Sequence, residues 1–145
     1  MIRDLAAVAV GGALGTGLRF SLDLAFATTD DLFPVSTLIA NIVGSFVLAL
    51  LVAKLWGPSP TWARAGLGAG LLGSFTTFSA LAVAVVNLIG VDQWMLAIIY
   101  LAATMVLGLA AAAFGLWLGS RRALRSGSDD AELDSDTVHA EMMTE

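Results

Sequence analysis

The sequence predicts an all-α integral membrane protein with four transmembrane helices, on the grounds of composition, segment length and loop length. Of the 145 residues, 58% are hydrophobic and 13% are charged, whereas soluble domains carry about 25% charged residues. Four apolar segments have the roughly 20 residues that cross a hydrocarbon core, and short polar connections join them. Short connections force neighbouring helices to run antiparallel, so we expect one compact unit.

The predicted domain boundary lies after the fourth span. The spans are Leu5–Phe26, Val35–Trp56, Trp62–Gly90 and Trp94–Gly119. Together they make residues 1–119 one four-helix transmembrane domain. Residues 120–145 begin with three arginines and then become rich in Gly, Ser, Asp and Glu. Because this segment has too few apolar groups to pack, we expect a disordered cytoplasmic tail.

The charged side chains predict the orientation of the chain in the cell membrane. With the N-terminus in the cytoplasm, the basic residues on the inner side are Arg3, Lys54, Arg64, Arg121, Arg122 and Arg125. The outer connections then hold Asp30, Asp31 and Asp92 and no lysine or arginine. The positive-inside rule therefore places both termini in the cytoplasm.

The first span contains Gly11 and Gly15, whose spacing favours close helix–helix approach. Arg19 lies towards its outer end, where a long side chain can reach the interface. Asp23 follows four residues later and can pair with it. Arg19 is therefore either half of an anchoring pair or a direct ion contact.

The second span carries Thr37, Asn41 and Ser45, whose spacing by four puts them on one helix face. Asn41 could bind helices together through hydrogen bonds, which is common in membranes. The alternative is a line of N–H and O–H donors that faces a path for an anion.

The third span holds the stretch LLGSFTTFSAL from Leu71 to Leu81. Gly73, followed by the hydroxyls of Thr76, Thr77 and Ser79, is what a locally unwound helix would need, because glycine permits a bend and hydroxyls satisfy freed backbone groups. Freed carbonyls at membrane depth can coordinate a cation. We therefore expect this helix to be broken near its middle.

The third span also contains two glycines and two phenylalanines that bear on packing. Gly66 and Gly70 have the spacing of close helix packing. Phe75 and Phe78 are either ordinary lipid-facing or core aromatics, or rings whose positive edge faces an anion.

The fourth span repeats the spacing by four with Tyr100, Thr104 and Gly108. A tyrosine near a span end is often an interface anchor. Two polar tracks in one small bundle nevertheless favour a polar path between helices.

Three motifs, GGALGTGLRF, STLIANIVGSF and GLLGSFTTFSA, occur in this order on the first three of four short spans. In this they resemble the Fluc (CrcB) family of fluoride channels, over roughly Gly11 to Gly119. The resemblance implies a fluoride-specific channel that lowers cytoplasmic fluoride by passive export. It also implies an antiparallel dimer of the dual-topology type, with a structural sodium ion, not transported, at the dimer centre.

The resemblance also implies roles for particular residues. The backbone oxygens of Gly73 and Thr76 would bind the sodium ion. The pore-lining residues would be Asn41, Phe78, Ser79, Tyr100 and Thr104. Arg19 would be the first-helix arginine of the family, near the vestibule.

Two positions depart from the family pattern: Leu81 stands where a second phenylalanine is usual, and Gly108 where a serine or threonine is usual. The chain could therefore be a non-conducting homodimer. We favour a partner-dependent subunit, paired with a homologous subunit of opposite orientation, because a chain inserted in one orientation does not readily form an antiparallel dimer with itself. A conducting homodimer stays open.

The titratable residues weigh against other classes of function. The chain has no cysteine and one histidine, His139, in the tail, and no nucleophile–base pair or phosphate-binding loop, so we expect no enzyme. A small drug–proton antiporter needs a carboxylate deep in the bundle, and the candidate, Asp23, lies near a span end beside Arg19. A non-conducting scaffold, whose polar residues serve packing alone, is the remaining alternative.

Overall fold

The computed structural model describes residues 1–26 and 33–142, with side chains up to Ser120, and every element in these ranges is helical. The elements are α1 (Ile2–Ala25), α2 (Val35–Leu55), α3 (Thr61–Arg64), a π-helix (Ala65–Leu72), α4 (Gly73–Phe75), α5 (Ser79–Gly90) and α6 (Trp94–Met142).

Four stretches are long and apolar enough to cross a membrane, which confirms the predicted number of spans. They are Ile2–Ala25, Val35–Leu55, Thr61–Gly90 and Trp94–Ser120. In each, at most 22% of the most apolar window is buried inside the chain. Such exposure would be costly in water, but lipid tails are as apolar as the side chains that face them.

The backbone of α6 continues as a helix to Met142. Composition predicts a tail without packed structure from residue 120 onward, and the side chains beyond Ser120 lie outside the described part, so that tail stays a prediction. Asp30 and Asp31 of the first outer connection also lie outside the described residues.

Helix α1 packs mainly against the π-helix. A Cβ atom on Gly11 would overlap the carbonyl oxygen of Gly66, and one on Gly15 would overlap that of Leu71. The two backbones therefore touch directly, as the glycine spacing predicts. We call this contact the glycine seam.

Helix α2 packs mainly against α6. Next to this pair, one cluster of buried side chains joins α5 to α6: Leu81, Ala84, Leu88, Ala97 and Tyr100. The turn between α5 and α6 places Asp92 at a φ of 59°, a conformation that short polar residues tolerate.

The starts of α1 and α3 lie at the same end of the bundle, because the Thr61 hydroxyl donates to Asp4 Oδ1 at 3.4 Å. The end of α2 meets α6 where Ala53 packs against Gly119. Three basic residues therefore share one end of the bundle: Arg3, Lys54 and Arg64.

Candidate functional site

A groove of about 460 Å³ lies between α2, α6 and the segment that joins α4 to α5. Its polar lining consists of Asn41, Ser45, Thr76, Thr77 and Thr104. Phe78 and Leu109 also line it, and their side chains are 73% and 72% exposed. One chain therefore supplies a groove with polar lining groups and two exposed apolar residues, Phe78 and Leu109, which we call the rim residues.

The third span leaves the helical conformation next to this groove. Helix α4 ends at Phe75, Thr76 has an extended backbone with φ −81° and ψ 156°, and α5 begins at Ser79. Gly73 has an ordinary helical φ of −66°. The backbone thus turns at Thr76, three residues after the glycine that we expected to permit the bend. We call residues 76–78 the turn.

Asn41 holds the turn with both ends of its amide. Its Nδ2 donates to the Thr77 carbonyl at 3.0 Å, and its Oδ1 accepts from the Thr77 N–H at 2.8 Å. This is the helix-binding role that the spacing left open. A carboxamide has two N–H donors, and within the described chain only one is used here, so the second is available to the groove.

Among the residues that line the groove, the turn removes the helical donors of two carbonyls. In an uninterrupted α-helix each N–H donates to the carbonyl four residues earlier. The Thr77 N–H would then donate to the Gly73 carbonyl, and the Ala80 N–H would donate to the Thr76 carbonyl. Instead, the Thr77 N–H donates to Asn41, and the Ala80 N–H donates to Thr77 Oγ1 at 3.2 Å. Gly73 and Thr76 both line the groove, so their carbonyls are the freed acceptors at this site.

The threonine hydroxyls at the site donate inside their own chain. Thr76 Oγ1 donates to the Leu72 carbonyl at 2.9 Å, and Thr104 Oγ1 donates to the Tyr100 carbonyl at 2.8 Å. Thr77 Oγ1 lies 3.1 Å from Ser79 Oγ. Ser79 itself is exposed and outside the groove lining. The freed backbone group that a hydroxyl pairs with here is the Ala80 N–H, which donates to Thr77 Oγ1; the Leu72 carbonyl also accepts the helical Thr76 N–H.

The polar track of α6 does not lie on one surface. Thr104 and Gly108 line the groove, whereas Tyr100 is 0% exposed and outside its lining. The Tyr100 hydroxyl donates to the Pro34 carbonyl at 3.2 Å, and its ring meets Phe33 edge-on with centroids 4.9 Å apart. In the single chain, Tyr100 binds the start of α2 to α6.

Arg19 and Asp23 lie apart from the groove. Arg19 Nε is 3.9 Å from Asp23 Oδ2, and the Arg19 side chain is 21% exposed. At this distance the pair is an ion pair without a short hydrogen bond. The geometry fits the anchoring interpretation of these two residues.

The two positions that depart from the family pattern differ in structure. Leu81 is 1% exposed and belongs to the buried cluster of α5 and α6, although it also borders the groove. Gly108 has room for a side-chain carbon: a Cβ atom there would lie in ordinary van der Waals contact with Ser45 Oγ, at 3.7 Å. One departure therefore fills the core, and the other leaves room inside the groove.

Gly44 is a site residue that the sequence reasoning missed. It lies between Asn41 and Ser45 on α2, and a Cβ atom there would overlap the Thr76 methyl group. The only signal in the sequence is its position within the stretch NIVGSF, three residues after the asparagine.

Comparisons with known proteins point to one family. The family model described as CrcB-like protein, Camphor Resistance (CrcB), matches residues 6–116. The protein named "Fluoride-specific ion channel FluC 2" from Halalkalibacterium halodurans is 40% identical over 125 residues, which cover 86% of this chain and 91% of that protein. "Fluoride-specific ion channel FluC" from Idiomarina loihiensis is 42% identical over 106 residues, 72% of this chain and 82% of that protein.

A third relative is longer than this chain. "Fluoride-specific ion channel FluC 3" from Streptomyces avermitilis is 42% identical over 118 residues, which cover 79% of this chain and 57% of that protein. The aligned part thus spans little more than half of that relative, while it spans most of the other two.

Proposed function

The chain belongs to the CrcB family, and from this membership we propose that it conducts fluoride across the cell membrane through the groove of α2, α6 and the turn. The resemblance predicted from the three motifs is confirmed by the family match. This family consists of fluoride ion channels, which are not enzymes. The observation that carries the proposal is the pair of hydrogen bonds between the Asn41 amide and the Thr77 backbone, which we call the Asn41 clamp. It holds an amide donor and the neighbouring Phe78 ring beside one groove.

The chemistry of the groove suits a small, strongly hydrated anion. A pore must replace the water of such an ion with donors and still release it. An amide N–H and the positive edge of an aromatic ring do so without a fixed charge that would trap the ion. In this site Asn41 offers the amide and Phe78, 73% exposed, offers the ring.

Conduction would be passive and outward. Hydrogen fluoride enters a cell as a neutral molecule and dissociates in the less acidic cytoplasm, and the anion then leaves down its electrochemical gradient. Such a path needs no carboxylate that binds protons inside the bundle. Within the described residues the groove is lined by no Asp, Glu, Lys, Arg or His.

A second subunit would complete the path. The rim residues Phe78 and Leu109 are uncovered in the single chain, and the polar groups of the groove beside them need water or a protein partner, because lipid cannot form hydrogen bonds with them. The partner would be a homologous subunit of opposite orientation. Basic residues at one end of the bundle support a fixed insertion with both termini in the cytoplasm. The glycine at 108 and the buried Leu81 support dependence on that partner, because this chain alone lacks two groups that the family usually has.

A structural sodium ion would sit on the freed carbonyls. Sodium is a hard cation that prefers oxygen ligands, as calcium and magnesium do. The carbonyls of Gly73 and Thr76 have lost their helical donors to Asn41 and Thr77, so the donor set fits. A cation there would raise the local potential for an anion and hold two turns together at the dimer centre.

Fluoride efflux from liposomes tests the proposal. The full chain is reconstituted alone and together with a co-expressed homologue from the same genome, and external fluoride is followed with an electrode. We expect release with the two chains together and no chloride release. Release from the single chain would overturn the partner requirement only. No release from either preparation would overturn fluoride conduction.

A further inference from the structure

We infer that Ser45 is the hydroxyl donor of the pore, and that with the second amide hydrogen of Asn41 it takes the place of the hydroxyl track expected on α6. This inference rests on the proposed function. It decides for Ser45 the alternative that the spacing of Thr37, Asn41 and Ser45 left open, gives a pore role to a residue to which the family resemblance assigned none, and moves the donors of this chain from α6 to α2.

The first step is to ask which hydroxyl hydrogens are free at the groove. The hydroxyl of Thr76 donates to the Leu72 carbonyl, and that of Thr104 donates to the Tyr100 carbonyl. Thr77 shares a hydrogen with Ser79 and accepts from a backbone N–H. Ser45 also lines the groove, and within the described chain its hydroxyl takes part in no hydrogen bond. It is therefore the hydroxyl that an ion can recruit without breaking a bond.

The second step concerns the space in front of this hydroxyl. Gly108 lies opposite Ser45 across the groove, and a Cβ atom on it would lie 3.7 Å from Ser45 Oγ. That distance is an ordinary van der Waals contact, so the absence of a side chain at position 108 leaves a gap about one atom wide. A serine or threonine there would point a hydroxyl into the same gap. The hydroxyl that is missing at Gly108 and the free hydroxyl of Ser45 would therefore occupy the same part of the groove.

The third step is the spacing of the two donors. Asn41 and Ser45 are four residues apart on α2, which corresponds to about 6 Å along the helix axis. Both line the groove. An ion released by the Asn41 amide would meet the Ser45 hydroxyl about one helical turn further along, so the two form successive donors on one rigid helix.

The test uses isosteric variants of the full chain in the fluoride efflux assay, in the subunit composition that conducts. Ser45→Thr keeps the hydroxyl and adds a methyl group. Ser45→Val has the same shape as the threonine variant, with a methyl group in place of the hydroxyl. We expect Ser45→Thr to stay near the wild-type rate and Ser45→Val to lose about ten-fold or more, the loss that corresponds to one hydrogen bond to a charged group. Ser21→Ala is the control: its hydroxyl donates to the Gly17 carbonyl on α1 at 2.9 Å, outside the groove. Its rate should not change.

Position 108 gives an independent arm. In the Ser45→Ala background, Gly108→Ser returns a hydroxyl to the same gap, whereas Gly108→Ala returns only a carbon atom. We expect Gly108→Ser to restore at least part of the rate and Gly108→Ala to restore none. Equal recovery with both, or a Ser45→Val rate equal to that of Ser45→Thr, would overturn the role of Ser45 while leaving fluoride conduction intact. A wild-type protein that releases no fluoride would overturn both.

Discussion

The glycine seam and the groove are both lined by glycine, yet they are opposite kinds of surface. In the seam, Gly11 and Gly15 face the carbonyl oxygens of Gly66 and Leu71, and a single added carbon would overlap them. In the groove, a carbon added to Gly108 would only touch the Ser45 hydroxyl, in ordinary van der Waals contact at 3.7 Å. Missing side chains bring two backbones together in one place and leave a cavity in the other.

The difference lies in what stands opposite each glycine, and it explains how one span serves both regions. The π-helix is held against α1 by backbone contact, which cannot adapt. Only a few residues later, the turn is held to α2 by one side chain, Asn41. The seam thus fixes the position of the third span, and the groove receives the turn at a defined place. Breaking each contact separately tests this division.

The largest effect is expected at the clamp. Asn41→Ala removes both partners of the Thr77 backbone, and each group left unpaired costs about 1–3 kcal/mol. Fluoride efflux should fall to the background of empty liposomes, because the same change removes an amide donor of the pore. Thermal unfolding in detergent and the efflux assay measure the two effects.

Asn87→Ala is the matched control for this variant. Asn87 lies on α5, is exposed and does not line the groove. Its loss should leave the rate of efflux unchanged. An Asn41→Ala protein as stable as wild type would show that the clamp does not hold the turn.

The seam is expected to show the next largest effect. Gly15→Ala forces a carbon atom against the Leu71 backbone, and overpacking of this kind costs about 1–3 kcal/mol. Gly17→Ala is the control on the same helix, because a Cβ atom there meets nothing within 4 Å. The midpoint of thermal unfolding should fall for the first and stay level or rise for the second. Equal midpoints would show that the seam tolerates side chains and does not fix the third span.

The sequence predicts the spans and the seam well, because both follow from local rules. Segment length and apolar content define the four spans, and the spacing of Gly11 and Gly15 predicts close helix contact. The family follows from the order of three motifs, and the comparisons confirm it.

The groove is harder to predict, because its lining depends on which hydrogen bonds form. Thr104 and Ser45 have the same kind of hydroxyl, but the Tyr100 carbonyl engages only the first. Spacing by four places Tyr100 and Thr104 on one face, yet the start of α2 buries Tyr100 away from the groove. Similarly, Gly73 predicts a bend that the backbone makes at Thr76, where Asn41 binds the next residue. Side-chain partners from another helix decide each of these outcomes.

The smallest effect is expected at Gly44, where the seam and the groove can be compared most directly. A Cβ atom at Gly44 would overlap the Thr76 methyl group, which is a side-chain atom and can move, whereas the seam glycines face backbone. Gly44→Ala should therefore cost about 1 kcal/mol, the low end for overpacking. Its effect on fluoride efflux should be larger than its effect on stability, because Thr76 belongs to the turn that forms the groove wall.

Thr76→Ser supplies the compensating change. It removes the methyl group and keeps the hydroxyl that donates to the Leu72 carbonyl at 2.9 Å, so the double variant Gly44→Ala/Thr76→Ser should recover most of the lost rate. No such compensation is open to Gly15→Ala, since the Leu71 carbonyl oxygen that it meets is part of the main chain. If Thr76→Ser leaves the Gly44→Ala rate unchanged, the two groups do not compete for one volume, and the close approach of α2 to the turn is not what shapes the groove.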